Sequence, residues 1–377
     1  MLGSIKISLH MGPVPVPAPD FVIEALSSVK VELGSGNAQS GFELTFDVPL
    51  NSKIYALFLG VGAVGAGGVP FMRVVLVVTM SGRSESVIDG VATDVEAQPA
   101  DGGNAKLVIK GKDLTALMDI LDMTATPFPA MPPSTRVLLI LAKYAAFGVV
   151  PQVIPAVVDD PPLPTEQIPQ QKGTDYQYIQ SLAEDAGYVF YLEPGPTPGL
   201  SRAYWGPEIR IGLPQPALTT GMDALSNVER LSFHFDREAK SLPIVFFHEP
   251  QSHLSIGLPI PDITPMNPPL GLVPPIPPKL DHLTDTGHLS PGLAMMKGLS
   301  YVARHSDSVF GTGTLDVAKY GRTLKSRNLV GVRGAGLAYD GLYYVKSVSH
   351  DIQRGSYKQS FQIARNGLFP TLPTVPA

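Results

Sequence analysis

The sequence predicts a mainly β chain in which two strand-rich modules flank a smaller, helix-containing α/β region. Three observations carry this reading. Apolar and polar residues alternate with a period of two over Val29–Leu33 and Phe42–Phe46, and again over Tyr357–Ile363, the pattern of sheets with one buried face. Helical spacing with capping signals is confined to short stretches. Glycine and proline together supply 37 and 38 of the 377 residues, which suits short strands joined by turns.

The elements follow in order. Residues 1–19 read as an N-terminal extension, broken by Pro13, Pro15, Pro17 and Pro19. A signal peptide needs an unbroken apolar stretch at that point, so none is expected. Residues 20–150 form the first β module. Gly34-Ser35-Gly36-Asn37 is hairpin chemistry, because glycine and asparagine tolerate positive φ. Further strands are expected near 53–60, 71–80, 86–97 and 105–111. Helices are expected over Asp113–Leu121 and Ser134–Phe147, the second capped by Ser134.

Residues 151–222 are a proline linker followed by a helix and strand. Thr174 and Gln177 have capping-box spacing, Ile179, Leu182, Ala183 and Ala186 mark one helical face, and Gly187 ends the helix before a strand at Tyr188–Leu192. The second β module spans 223–368. It holds strands at VERLSFHF and LPIVFFHE, a proline-rich insertion at about 250–290, a helix over Pro291–Arg304 and sheet from Gly311 to Arg365. Residues 369–377 read as a tail. No short-period repeat is visible.

Composition narrows the function. Charged residues are 16% of the chain, against about 25% in an average soluble protein. So few charges imply surface hidden against a membrane or other subunits. A formal net charge of −5 gives no basic excess for nucleic acid, and the absence of cysteine excludes disulfides, thiolate nucleophiles and zinc–cysteine sites. Residues 54–72 are nineteen without a charge, about the length of a spanning helix. Five are glycine and one is Pro70, so two strands joined by a glycine-rich loop are expected instead.

Candidate chemistry is sparse. Gly60, Gly62 and Gly65 form G-x-G-x-x-G with Glu85 twenty residues on, but Pro70 and a valine-rich strand follow where a phosphate-binding helix is needed. Asp281, His282, Asp285 and His288, with His248, Glu249 and His253, could ligate a metal on paper, but they border the proline tract and lack a firm helix or strand. His350 lies between Val348 and Ile352 on one strand face and reads as a hydrogen-bonded, semi-buried histidine. Glu184 and Asp185 are adjacent on the polar face of a helix, where they point in different directions. Lys319, Arg322, Lys325, Arg327 and Arg333 form an acid-free run, read as a solvated turn or as a contact with an acidic neighbour or lumen wall. No catalytic, cofactor-binding or metal-binding residue is assigned, no cofactor is expected, and no enzyme is indicated.

Two segments carry a resemblance. Thr174–Tyr191 (TDYQYIQSLAEDAGYVFY) resembles the D-[YF]-x-[FY]-[IL]-x-x-L-A-E-x-x-G-[FY]-x-[FY] stretch of the phage late-control protein D family, related to the hub half of type VI VgrG spikes and to the central hub of contractile phage baseplates. Asp340–His350 (DGLYYVKSVSH), Arg354–Phe361 (RGSYKQSF) and Arg365–Leu368 (RNGL) are similar to the same family's C-terminal strands. The resemblance spans about residues 20–368. It implies two β-barrel tube-type domains per chain, joined by a smaller α/β region, in a trimeric hub.

The resemblance also implies partners: a homotrimer, an inner tube protein and other baseplate subunits. No specific nucleic-acid sequence and no small-molecule substrate are expected. Spike-fused members continue into an OB-fold and a β-helical needle, whereas this sequence stops about ten residues after the last barrel strand, so a separate spike protein is expected. The implied function is a structural hub that adapts the hexameric tube to the trimeric spike and lines the cargo channel, assembled in the bacterial cytoplasm and resident in a phage tail or tail-like particle. The alternatives are a tail-associated cell-wall hydrolase, with a dyad in 250–310, and a membrane-bound β-rich binding protein resting on 54–72.

Overall fold

A computed structural model describes residues 5–49, 52–54, 71–99, 104–156, 165, 168–222, 226–248, 255–260, 267–276, 279–283, 286 and 291–372. The first β unit contains β1 (Lys6–Met11), β2 (Val16–Pro17), β3 (Leu26–Gly34), β4 (Gly41–Pro49), β5 (Arg73–Met80), β6 (Arg83–Pro99) and β7 (Asn104–Asp113), with a short helix Asp20–Ala25 before β3. The middle region holds helices Thr115–Met118 and Pro133–Ala142, β8 (Val149–Val153), helix Asp175–Ala186, β9 (Val189–Pro194) and β10 (Ser201–Gly206). The second unit opens with β11 (Gln215–Thr219), β12 (Val228–Phe235), β13 (Ser241–His248), β14 (Ser255–Pro259), β15 (Gly271–Val273) and β16 (Lys279–Leu283). Helix Pro291–Arg304, β17 (Val309–Asp316), helix Val317–Tyr320, β18 (Leu329–Arg333), β19 (Gly341–Gln353), β20 (Ser356–Arg365) and β21 (Leu368–Pro370) complete it.

The two units repeat one strand order. In the first the neighbours run β3-β4-β7-β6-β5-β1, and in the second β12-β17-β20-β19-β18-β11. Strand for strand the chain order is also the same. Two irregularities coincide too: the bulge between Ala92 and Asp94 on β6 matches that between Val345 and Ser347 on β19, and the bulge between Leu26 and Ser28 on β3 matches that between Val228 and Arg230 on β12, whereas the shift between Leu76 and Val77 in β5–β6 has no counterpart in β18–β19. One difference is that β1 meets β5 antiparallel while β11 meets β18 parallel.

The units join edge to edge. β19 pairs β20 along one edge, while its other edge is divided between β18 at its start and β3 from Ser347 to Gln353. The result is one 13-stranded sheet, and among the described residues no strand pair closes either unit into a barrel. A single hydrophobic core runs beneath both, from Leu9, Val31 and Phe46 to Val345, Val348 and Phe361. The alternation read from sequence explains this face: Tyr357, Phe361 and Ile363 are buried, and Lys358, Ser360 and Gln362 are exposed.

Several expectations need correction. Within residues 1–19, read as an N-terminal extension, Lys6–Met11 form a strand of the large sheet. β1 pairs β5 over six positions, and Leu9 and Met11 enter the core because they alternate with polar Ser8 and His10. Residues 369–370 likewise belong to β21, which pairs β15, rather than to a tail. The helix expected over Ser134–Phe147 starts at Pro133 and ends at Ala142. Its N-cap is Pro132 with no side-chain cap bond, since proline fits the first helical turn. The helix expected over Asp113–Leu121 is only Thr115–Met118, because Asp113 still belongs to β7. Of the strand expected near 53–60, Lys53 and Ile54 are helical and 55–60 lie outside the described residues, as does most of 54–72. No described helix is long and apolar enough to cross a membrane, which says nothing of a β-barrel.

The middle region forms as the sequence predicts. Thr174 accepts the Gln177 N–H at 3.3 Å, the Gln177 side chain accepts the Thr174 N–H, and Gly187 ends the helix at φ +75°. Asp175 is buried. It accepts Gln171 Nε2 at 2.7 Å, the Tyr144 hydroxyl at 2.9 Å and Lys143 Nζ at 3.1 Å, so the acid that opens the resemblance motif is a structural anchor. Trp205, Phe190 and Ile179 fill the separate core of this region.

Candidate assembly surfaces

Arg322, Lys325 and Arg327 of the acid-free basic run line a cleft of about 1020 Å³ where the first unit, the middle region and the second unit meet. Lys325 forms an ion pair with Glu85, and Thr323 Oγ1 donates to Glu85 Oε2 at 2.6 Å, tying the loop after β17 to the β5–β6 hairpin. Arg327 lies over the Tyr191 ring at 4.0 Å, and Tyr191 stacks on Tyr204 at 5.1 Å. This arginine sits at φ +61°, held by its N–H donation to Val345 O at 2.9 Å. Lys319 and Arg322 are exposed, so the run is part contact and part solvated turn.

His350 lines the floor of the cleft and is fully buried rather than semi-buried. Its Nδ1 lies 2.7 Å from the Tyr357 hydroxyl, and burial brings its pKa down to about 3.

The open sheet edges among the described residues include those of β12 and of the second half of β6. β12 pairs β17 on one side only. β6 pairs β7 along one edge but meets β5 on the other edge only as far as Val91, with Ala92 N–H donating to Met72 O at 2.9 Å, which leaves Thr93–Pro99 without a paired strand on that edge. Both edges alternate half-buried apolar residues with exposed polar ones: Val95 and Ala97 on β6, and Leu231, Phe233 and Phe235 on β12. Unpaired strand edges of this kind are templates for another chain.

Buried ions act as fasteners. Arg73 clasps Asp89 with two bonds of 2.7 and 2.6 Å, donates to Gly199 O at 2.9 Å, and Asp89 also accepts the Ser201 hydroxyl at 2.9 Å. This locks β5 and β6 to the middle region. Arg210 clasps Asp307 at 2.5 and 3.0 Å, with Lys346 2.9 Å away. Burial alone would raise the Asp307 carboxyl, but Arg210 and Lys346 outweigh it and hold the pKa at about 2. Both carboxylates are committed on each oxygen and lie away from solvent, an arrangement suited to holding elements together. Lone charges inside the apolar runs Phe71–Val75 and Val87–Val91 were the sequence signal for the first pair.

The other candidates do not converge. Gly60, Gly62, Gly65, Glu249, His253, Asp285 and His288 lie outside the described residues, and Glu85 is engaged by Lys325 and Thr323. Asp281 accepts the Tyr301 hydroxyl at 2.5 Å, and His282 stacks on Phe246 at 5.6 Å. Among the described residues no three metal-ligating side chains come together. Glu184 and Asp185 are exposed on the helix surface.

No family model matches the chain, and no curated protein matches it in sequence. Solved structures do. A tail protein from Neisseria meningitidis MC58 superposes with a TM-score of 0.62 at 14% identity, over 97% of this chain and 98% of its own. The 43 kDa tail protein of prophage MuSo2 from Shewanella oneidensis gives 0.57 at 15%, over 99% and 100%. The fold is the one these two tail proteins share. A chain of the Francisella PdpA–VgrG complex has the same fold, with a TM-score of 0.60 at 10% identity, and this protein spans 60% of its length. The shared fold is consistent with the resemblance carried by Thr174–Tyr191 and Asp340–Leu368.

Proposed function

We propose that this protein is a structural hub of a contractile phage tail or contractile injection system. It works as a trimer that adapts a hexameric inner tube to a trimeric spike and lines the channel between them. The observation that carries the reading is the duplicated strand order: each chain presents two equivalent β units side by side, so three chains present six. A sixfold tube can then sit on one face while the molecule keeps the threefold symmetry of a spike. Its partners are the inner tube protein, a spike and other baseplate subunits, and its place is a tail or tail-like particle assembled in the cytoplasm. The low charge content fits a surface largely covered by such neighbours.

The role is structural rather than enzymatic, and the commitment of Asp89 to Arg73 and of Asp307 to Arg210 supports this. Light scattering after size exclusion, with negative-stain imaging of the peak, tests the reading. Three copies of 40.1 kDa, about 120 kDa, in ring-shaped particles that capture a tube subunit are the expected result. A monomer that binds neither tube nor spike subunit would exclude it.

A further inference from the structure

The cleft between the three regions holds more positive charge than its own acids match. Its walls carry Arg83, Arg322, Lys325 and Arg327 against Glu85 and Glu193. Both acids are already taken, Glu85 by Lys325 and Glu193 by Arg202. Asp113, the buried carboxylate that feels the charge of Arg327, gives its oxygens to the Ser40 and Thr115 N–H groups and to the Thr115 hydroxyl. Among the described residues Arg83, Arg322 and Arg327 are therefore left without an ion-pair partner. Arg327 Nε and Nη2 carry no hydrogen bond, although Arg73 uses the same two nitrogens to hold Asp89. Ser86 Oγ is unmatched too. Shielded polar atoms without partners are costly, so this wall is incomplete as it stands.

Two strands of the wall also have an unused edge. β6 pairs β5 from Arg83 to Val91 but reaches β7 only from Gly90 onward, so Arg83–Asp89 have one neighbouring strand. The β5–β6 turn has Ser81 and Gly82 at φ +50° and +79°, a two-residue hairpin closed by Met80 and Arg83. The closing pair bonds across the hairpin, so Ser84 and Ser86 turn their backbone N–H and C=O groups away from β5. β9 pairs β10 alone, and Phe190 N–H, on its far edge, donates to Asn37 Oδ1 at 3.0 Å. Leu192 lies two residues on along that edge and lines the cleft. The lining beside these edges is apolar, with Met80, Pro214 and Leu213, the last 96% exposed.

We propose that the cleft is a docking site for an extended acidic segment of a partner protein, its backbone laid along the Ser84–Ser86 edge and its carboxylates met by Arg83, Arg322 and Arg327. An added strand turns alternate side chains to opposite sides. A segment of alternating acidic and apolar residues thus sets one row on the guanidinium groups and the other on Leu192 and Leu213. Arginine suits the first task because its planar fork matches both oxygens of a carboxylate. A volume of about 1020 Å³ is at the top of the range for ligand pockets, room for a short segment. A phosphodiester chain would use the arginines but leave the strand edges and the apolar lining idle, which favours peptide. The inference goes beyond the hub reading and is separable from it, since the cleft is formed within a single chain.

The probe is a terminally blocked, dye-labelled peptide of three Val-Glu repeats, titrated into the full-length protein and read by fluorescence anisotropy. Val-Gln and Val-Lys peptides and inorganic phosphate are the comparisons. The Val-Glu peptide is expected to bind at least about tenfold tighter than either comparison peptide, to slow amide exchange at Ser84–Val87, and to weaken as salt is raised. Arg83→Ala with Arg322→Ala, both at exposed positions, should weaken it by at least about tenfold. Lys319→Ala, exposed but outside the cleft, should leave it unchanged. Equal binding of the Val-Gln peptide, or no loss in the double variant, would overturn the acidic recognition. Full displacement by an equal concentration of inorganic phosphate would reveal a general anion site and overturn the peptide. No binding of the Val-Glu peptide at about 1 mM would overturn the docking site, while particle mass, read separately, decides the hub.

Discussion

Val31 and His350 stand opposite one another in the pairing of β3 with β19, the seam at which two halves of the chain become one sheet. Both are buried, and the imidazole meets the Tyr357 hydroxyl beneath the seam. A titratable ring has thus been enclosed at the junction on which the shared core depends.

Acid should act there first. Burial brings the His350 pKa down from 6.5 to about 3, so between those values the unfolded chain takes up a proton that the fold refuses. The sign follows: this site takes nothing from stability above pH 6.5 and progressively more as pH falls toward 3, at about 1.4 kcal/mol per pH unit. Asp307, held at about 2, begins to contribute only below its ordinary 3.8, whereas Asp113, whose carboxyl burial pushes up, contributes in the opposite sense above 3.8, so the histidine's share between roughly pH 4 and 6.5 is the change in slope that its replacement causes. Chemical denaturation across that window should show a stability slope that His350→Gln flattens by most of its single-proton value.

Asp89→Asn should destabilise the protein by about 3–5 kcal/mol, because it leaves the Arg73 guanidinium buried without its counter-charge. Arg73→Met with Asp89→Leu should recover most of that loss. Urea midpoints of the three variants check this, and a double variant as weak as Asp89→Asn would argue that the pair is an irreplaceable joint.

A Cβ at Gly111 would lie 2.4 Å from Val91 O and 2.2 Å from the Phe42 ring, whereas one at Gly311 would meet only the side chains of Ile363 and Phe233. Gly111→Ala is therefore expected to cost at least about 2 kcal/mol, and Gly311→Ala clearly less. Pairing Gly311→Ala with Ile363→Val should return part of the smaller loss. Thermal melts of the soluble variants rank them.

Thr174→Ala removes the acceptor for Gln177 N–H and the hydroxyl that donates to Asp119 at 2.6 Å. A loss of about 1 kcal/mol is expected, mostly restored by Thr174→Ser. Amide exchange localised to the first turn of helix Asp175–Ala186 would confirm that the effect is the cap.

Much of the local structure was legible in the sequence, because period-two alternation and capping residues act over a few positions. The helix at Thr174–Gly187 and the strands at Val228–Phe235 and Ser356–Arg365 are cases in point. The duplication was not legible, and the reason is physical. Phe42 covers Gly111 in the first unit, while Ile363 covers Gly311 in the second, so the large and small partners have exchanged strands. The volume is kept and the sequence repeat is erased. The seam was equally hidden, since nothing near Val31 names a residue about 320 positions away. The open edges of β6 and β12 could not be read either, because an edge is defined by what fails to arrive beside it.

That separation governs how the protein is made. β3 emerges from the ribosome early, and the strand that covers its edge follows about 320 residues later. At 5–20 residues per second the interval is roughly 15–60 s, during which a pairing-competent strand faces a crowded cytosol. Nascent chains of this protein should therefore be clients of ribosome-associated chaperones, and faster translation should raise the soluble yield.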